Sequence, residues 1–83
     1  MRKVVIVEWG DAFIETDDFD PEEAKDTEPV WRYTVGFLIA KNQHGYVLST
    51  DVYKTDKEVA AKMFIPHGMI IGVTDYEPAK TNK

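Results

Sequence analysis

The stretch Phe64-Ile65-Pro66-His67-Gly68-Met69-Ile70-Ile71-Gly72-Val73 constrains the fold of this chain more than any other. Two short apolar runs of β character flank a Pro-His-Gly break. Pro66 cannot donate a ladder hydrogen bond, and Gly68 can take φ > 0 at no steric cost. The chain must therefore turn sharply between two strands that both favour burial. That pattern suits a small, strongly bent β-barrel in which this stretch forms the last hairpin.

The rest of the chain supplies three more strands. Lys3–Trp9 alternates on both faces, with Val5, Val7 and Trp9 on one and Val4, Ile6 and Glu8 on the other. Val30–Lys41 is the longest run. Trp31, Tyr33, Val35, Phe37 and Ile39 form an apolar stripe that reads as core, opposite a mixed face of Arg32, Thr34, Gly36, Leu38 and Ala40. Gly36 permits a sharp bend or the close approach of another backbone. Asn42-Gln43-His44-Gly45 reads as a hairpin loop leading into a third strand, Tyr46–Tyr53. Strands four and five are Lys62–Ile65 and Met69–Tyr76. Between them and the third strand, Lys54–Lys62 reads either as a short helix, since Thr55-Asp56-Lys57-Glu58 has capping-box spacing, or as a loop. Five closely spaced short strands without crossover helices predict an all-β fold with at most a minor helix. The form is a five-stranded, strongly bent antiparallel small barrel of Sm-like or SH3-like type.

With 83 residues the chain makes one domain. The barrel is expected over residues 1–76, with an acidic insertion at 15–28 and a flexible tail at 77–83. The insertion holds Glu15, Asp17, Asp18, Asp20, Glu22, Glu23, Asp26 and Glu28 against one base, Lys25, so it carries −7 while the remainder carries +2. The net charge of −5 thus describes one loop rather than the whole surface. Within it, Asp20-Pro21-Glu22-Glu23 signals a helix start, with Asp20 as cap and Pro21 at the first helical position. Glu28-Pro29 stops that helix after one or two turns. A solvated acidic loop is the alternative.

Several chemistries find no constellation. There is no cysteine, which removes disulfides and thiolate metal sites. His44 and His67 are the only histidines and lack ligand spacing. Ser49, the only serine, lies inside a strand rather than on a strained elbow. The five glycines are scattered, so no phosphate loop forms. Asp18–Glu23 fails as a calcium loop because Glu23 stands where the sharp-turn Gly belongs. No enzyme, cofactor or metal is expected. The basic start and four apolar residues of Met1–Val7 are too few for a signal peptide, and no run approaches the ~20 apolar residues of a membrane span. A cytoplasmic location follows as an expectation.

The segment Gly36-Phe37-Leu38-Ile39-Ala40-Lys41-Asn42-Gln43-His44-Gly45-Tyr46-Val47-Leu48 resembles the first Sm motif. Gly36 and Leu38 match its Gly-x-Leu, and Asn42 falls at its acidic position. Ile65, Gly68, Ile71 and Val73 are similar in kind to the second Sm motif, with His67 in place of its Arg. Val7-Glu8-Trp9-Gly10-Asp11-Ala12, Val35–Leu38 and Ile65–Ile70 together resemble small phage and prophage proteins of unknown function, a group in which Sm-like folds are known. Strands four and five are short and apolar and leave edges to be paired, which predicts a homo-oligomer, a ring closed through edge strands; the resemblance implies single-stranded RNA bound on one ring face. Asn42, His44, Tyr46 and His67 are the candidate RNA contacts: a stacking ring with amide and imidazole hydrogen-bonding groups beside it. The same residues also read as ordinary turn residues. The alternative function is a phage-type interaction or regulatory factor whose acidic loop meets a basic partner surface.

Overall fold

The computed structural model describes residues 2–55 and 57–76; the expected tail at 77–83 lies outside the described residues. Five strands form one antiparallel sheet: β1 (Val4–Asp11), β2 (Val30–Lys41), β3 (Gly45–Val52), β4 (Val59–Pro66) and β5 (Ile70–Tyr76), in the order β4-β3-β2-β1-β5. The all-β expectation holds, and β2 has the bounds its alternation predicts. A 3-10 turn, Pro21–Asp26, is the one helical piece of the acidic segment. Asp20 caps it by accepting from the Glu22 N–H at 3.0 Å, and it buries no residue. Of Lys54–Lys62 no described residue is helical, and Val59–Lys62 is already strand: β4 begins three residues before the expected Lys62.

The order of strands corrects the expected last hairpin. β4 and β5 do not pair with each other; they are the two edges of the sheet, joined by a 3-10 turn at His67–Met69. Gly68 does not use its freedom, since no glycine has positive φ among the described residues. That short link dictates the overall shape. Edge strands of a flat five-stranded sheet lie roughly 19 Å apart. The chain from Pro66 to Ile70 spans at most about 14 Å. The sheet must therefore roll until its edges come within that reach at this end. It does not close, because no ladder joins β4 to β5.

The roll has an inner and an outer face, and β2 presents them opposite to expectation. Val5, Val7, Leu48 and Ile65 are fully buried and mark the inside, with Trp9, Leu38, Tyr46, Ile70 and Val73 packed against them. Directly opposed residues of a ladder share a face. Val5 opposes Gly36 and Val7 opposes Thr34, so the mixed face of β2 is the inner one. Trp31, Tyr33, Val35 and Phe37 oppose Gly10, Glu8, Ile6 and Val4 and lie outside. Trp31, Tyr33 and Val35 are 53%, 75% and 54% exposed. The expected core stripe is thus a real stripe on the wrong side. Two causes are visible. β1 is apolar on both faces, so alternation there does not choose. At Gly36, β3 crosses so closely that an added Cβ would lie 3.0 Å from the Ser49 carbonyl oxygen. The sheet bends toward the side where β2 has no side chain.

Two irregularities shape the β3–β4 edge. Ala61 has φ 52°, a left-handed conformation costly for a residue with a Cβ. It falls between the pairs Ser49↔Lys62 and Asp51↔Ala60. Ser49, buried at 1% exposure, spans this break. Its hydroxyl accepts from the Asp51 N–H at 3.1 Å and lies against the carbonyls of Asp51 and Ala60. The lone serine is thus a structural bridge.

Candidate functional site

The four residues singled out from the sequence come together at one end of the roll. Asn42, Gln43 and His44 form the β2–β3 loop, closed by the Asn42 N–H donating to the Gly45 carbonyl at 3.0 Å. The Asn42 side-chain oxygen accepts from the N–H groups of His44 (2.8 Å) and Gly45 (3.2 Å), an Asx turn that fixes the loop from within. Gly45 is required there, since a Cβ would sit 2.1 Å from the Ile65 carbonyl oxygen.

His67 arrives from the turn between the edge strands. Its N–H donates to the His44 carbonyl at 3.1 Å, and its Nε2 lies 2.6 Å from the Asn42 carbonyl oxygen. A carbonyl only accepts, so Nε2 carries the proton and, in the neutral ring, Nδ1 is left as an acceptor. His44 has the opposite arrangement. Its Nε2 lies 3.2 Å from Gln43 Nε2, an amide donor, so Nδ1 carries the proton. The two rings therefore offer one acceptor and one donor. Tyr46, half-buried against the core, meets the His67 ring edge-on with centroids 5.6 Å apart. The Lys41 ammonium sits 5.4 Å from the Tyr46 ring centre, a cation–π contact.

The cluster differs from expectation in two residues. Asn42 spends its side-chain oxygen and its backbone carbonyl on the loop and on His67, so it is a positioning residue with only its amide N–H₂ to offer. Lys41 belongs to the group and escaped the sequence reading. It is placed by register: the Asn42–Gly45 hydrogen bond closes the loop and sets Lys41 opposite Tyr46.

A second feature lies at the other end of β2. Gly10, Asp11, Phe13, Pro29, Trp31, Met69 and Ile71 are among the residues lining an open, mainly apolar cleft of about 590 Å³. Its floor exists because Gly10 has no side chain: an added Cβ would meet Pro29 at 2.9 Å and Trp31 at 3.0 Å. Asp11, which lines the cleft, is tied to Arg32 at 2.8 Å. The cleft adjoins the acidic segment, whose residues from Ala12 to Glu28 are all exposed.

Among the described residues no group of three or more His, Cys, Asp or Glu is arranged to hold a metal ion. No helix there is long and apolar enough to cross a membrane. No family model, curated protein or solved structure matches the chain.

Proposed function

We propose that the protein is a non-enzymatic binding module of Sm-like type that self-associates and contacts single-stranded RNA through the Lys41–Tyr46–His67 end of its sheet. The observation that carries this reading is the convergence of Asn42 and His67, 25 residues apart in sequence, on one hydrogen-bonded cluster with a cation and an aromatic ring. Lys41 supplies the phosphate contact. The histidine Nδ1 atoms, one donor and one acceptor, suit the edges of unpaired bases, and Tyr46 offers an aromatic edge. Hydrogen bonds that fix the loop in advance lower the ordering cost of binding. Similarity of Gly36–Leu48 to an Sm motif points the same way.

Fluorescence anisotropy with labelled U-rich and A-rich single strands tests it. Binding at low salt should weaken as salt rises. Lys41→Ala should lower affinity on every sequence alike and reduce the salt slope by about one. No binding to either oligomer at low salt sinks the reading.

The apolar cleft beside the −7 segment favours a second reading, in which a basic, partly apolar protein segment docks there. Capture of host proteins by the wild type and by a variant with its acids amidated separates the two. Loss of a partner on amidation supports cleft docking, and unchanged partners discard it.

A further inference from the structure

The inner face of the roll is finished and the outer face is not. Among the described residues four apolar side chains are fully buried, while Trp31, Tyr33, Val35, Ile71 and Tyr76 are each more than half exposed. On the outer face, β1, β2 and β5 set side chains in adjoining rows: Val4 between Phe37 and Tyr76, then Ile6 beside Val35 with the Thr74 hydroxyl on its other side. Glu8 is the one charge in these ladders on that side. It sits opposite Gly72, beside which a Cβ would meet nothing within 4 Å, so its carboxylate keeps a path to water.

From this geometry we infer that the outer face of β1-β2-β5 is covered by the same face of a second copy, sheet on sheet, about a two-fold axis. The inference rests on the reading that the chain self-associates and names the surface through which it does so. Area is the first argument. The exposed parts of Trp31, Tyr33, Val35, Ile71 and Tyr76 amount to roughly 600 Å², which approaches the ~800 Å² each partner brings to a stable interface once half-buried Ile6 and its neighbours are added. Shape is the second: an outward-alternating stripe on a twisted antiparallel sheet is the surface that packs against another sheet about 10 Å away.

Charge selects the occupant. The −7 segment adjoins the Trp31 end of the face and repels an anionic membrane surface or a nucleic acid backbone laid across it. A second copy turned about an axis across the strands places the two acidic segments at opposite ends. There they are separated by more than the ~10 Å Debye length of a moderate-salt buffer. The sheet edges are the less suited surface. β4 is broken by Ala61 in its left-handed conformation and ends at Pro66, which has no N–H to offer. β5 carries an irregularity opposite Glu8–Trp9. Bulges and proline blunt strand-to-strand pairing.

Light scattering and sedimentation on the full chain test the inference, with Tyr33→Lys and Val35→Lys as face variants and Phe64→Lys, an exposed position on the β4 edge, as the contrast. The wild type should give a dimer mass. Each face variant should weaken the dimer at least a hundredfold with an unchanged far-ultraviolet circular dichroism spectrum, and the edge variant should leave it intact. A second readout needs no surface variant. In Trp9→Phe protein, acrylamide quenching of Trp31 should rise on dilution through the dissociation range. A wild type that is monomeric at every concentration overturns both this inference and the self-association it rests on. An oligomer of ring mass, or one broken by Phe64→Lys and indifferent to Tyr33→Lys and Val35→Lys, overturns the face while self-association stands. Monomeric protein that floats with uncharged lipid vesicles overturns it in favour of a membrane.

Discussion

Val7 and Val35 are the same residue on paired strands, one fully buried and the other half exposed. Val7 opposes Thr34 inside the roll; Val35 opposes Ile6 outside it. Composition does not separate the two faces, since the outer one is the more aromatic. What separates them is which side of β2 lacks a side chain. Gly36 admits the β3 backbone, and the sheet closes around whatever lies on that side. The comparison teaches that in a small rolled sheet the bend, and not the hydrophobic stripe, decides where the core is.

The contrast can be broken most forcefully at Leu48 and Tyr33. Leu48→Ala should cost about 2–5 kcal/mol in urea unfolding, as for other buried leucines, whereas Tyr33→Ala should stay within about 0.5 kcal/mol at concentrations where copies are separate. Equal losses at both would mean that Tyr33 belongs to the protomer's own core. Gly45→Ala comes next. The new methyl must push β3 from β4 at Ile65, and a loss of about 2–3 kcal/mol is expected, in the upper range for overpacking. The same variant should disturb the His67–Asn42 bond, seen as a change in the His67 ring resonances.

Adjacent residues of β2 give a finer comparison. Thr34 accepts from the Trp9 indole N–H at 2.9 Å on the inner face. Thr34→Val leaves that donor without its partner and should cost about 1 kcal/mol. Its neighbour Val35, changed to Thr on the outer face, should cost less than about 0.5 kcal/mol in the separated protomer. If Val35→Thr proved the costlier, the assignment of faces would be reversed. The smallest effect is expected at Asp20→Ala. The 3-10 turn it caps buries nothing, so the urea midpoint should not move, while amide exchange at Glu22 and Glu23 should quicken.

Much of the fold was legible because its signals are local. The bounds of β2 follow from strict alternation, the cap at Asp20-Pro21 from side-chain chemistry, and the close approach at Gly36 from an isolated glycine in a strand. The gathering of Asn42, His44, Tyr46 and His67 was read from loop positions and a resemblance, and the structure does bring them together. Other features depend on contacts distant in sequence. Pro66-His67-Gly68 looks the same whether it joins neighbouring strands or the two edges of a rolled sheet. β4 was hidden at its start because Thr55–Glu58 mimics a helix cap and the bulge at Ala61 breaks its alternation. The sidedness of β2 was hidden because β1 offers valine or isoleucine to both faces. Lys41 was missed because only the ladder register sets it over Tyr46.

The acidic segment has a consequence for how the molecule behaves as a whole. With −7 gathered between Glu15 and Glu28 and +2 spread over the rest, the protein is a strong electric dipole rather than a uniformly acidic particle. It should present that one end to an anion-exchange resin and be retained more tightly than a net charge of −5 would suggest. Crowded copies at low salt should orient one another before they touch, and a modest rise in ionic strength should erase that order while leaving every contact inside the roll unchanged.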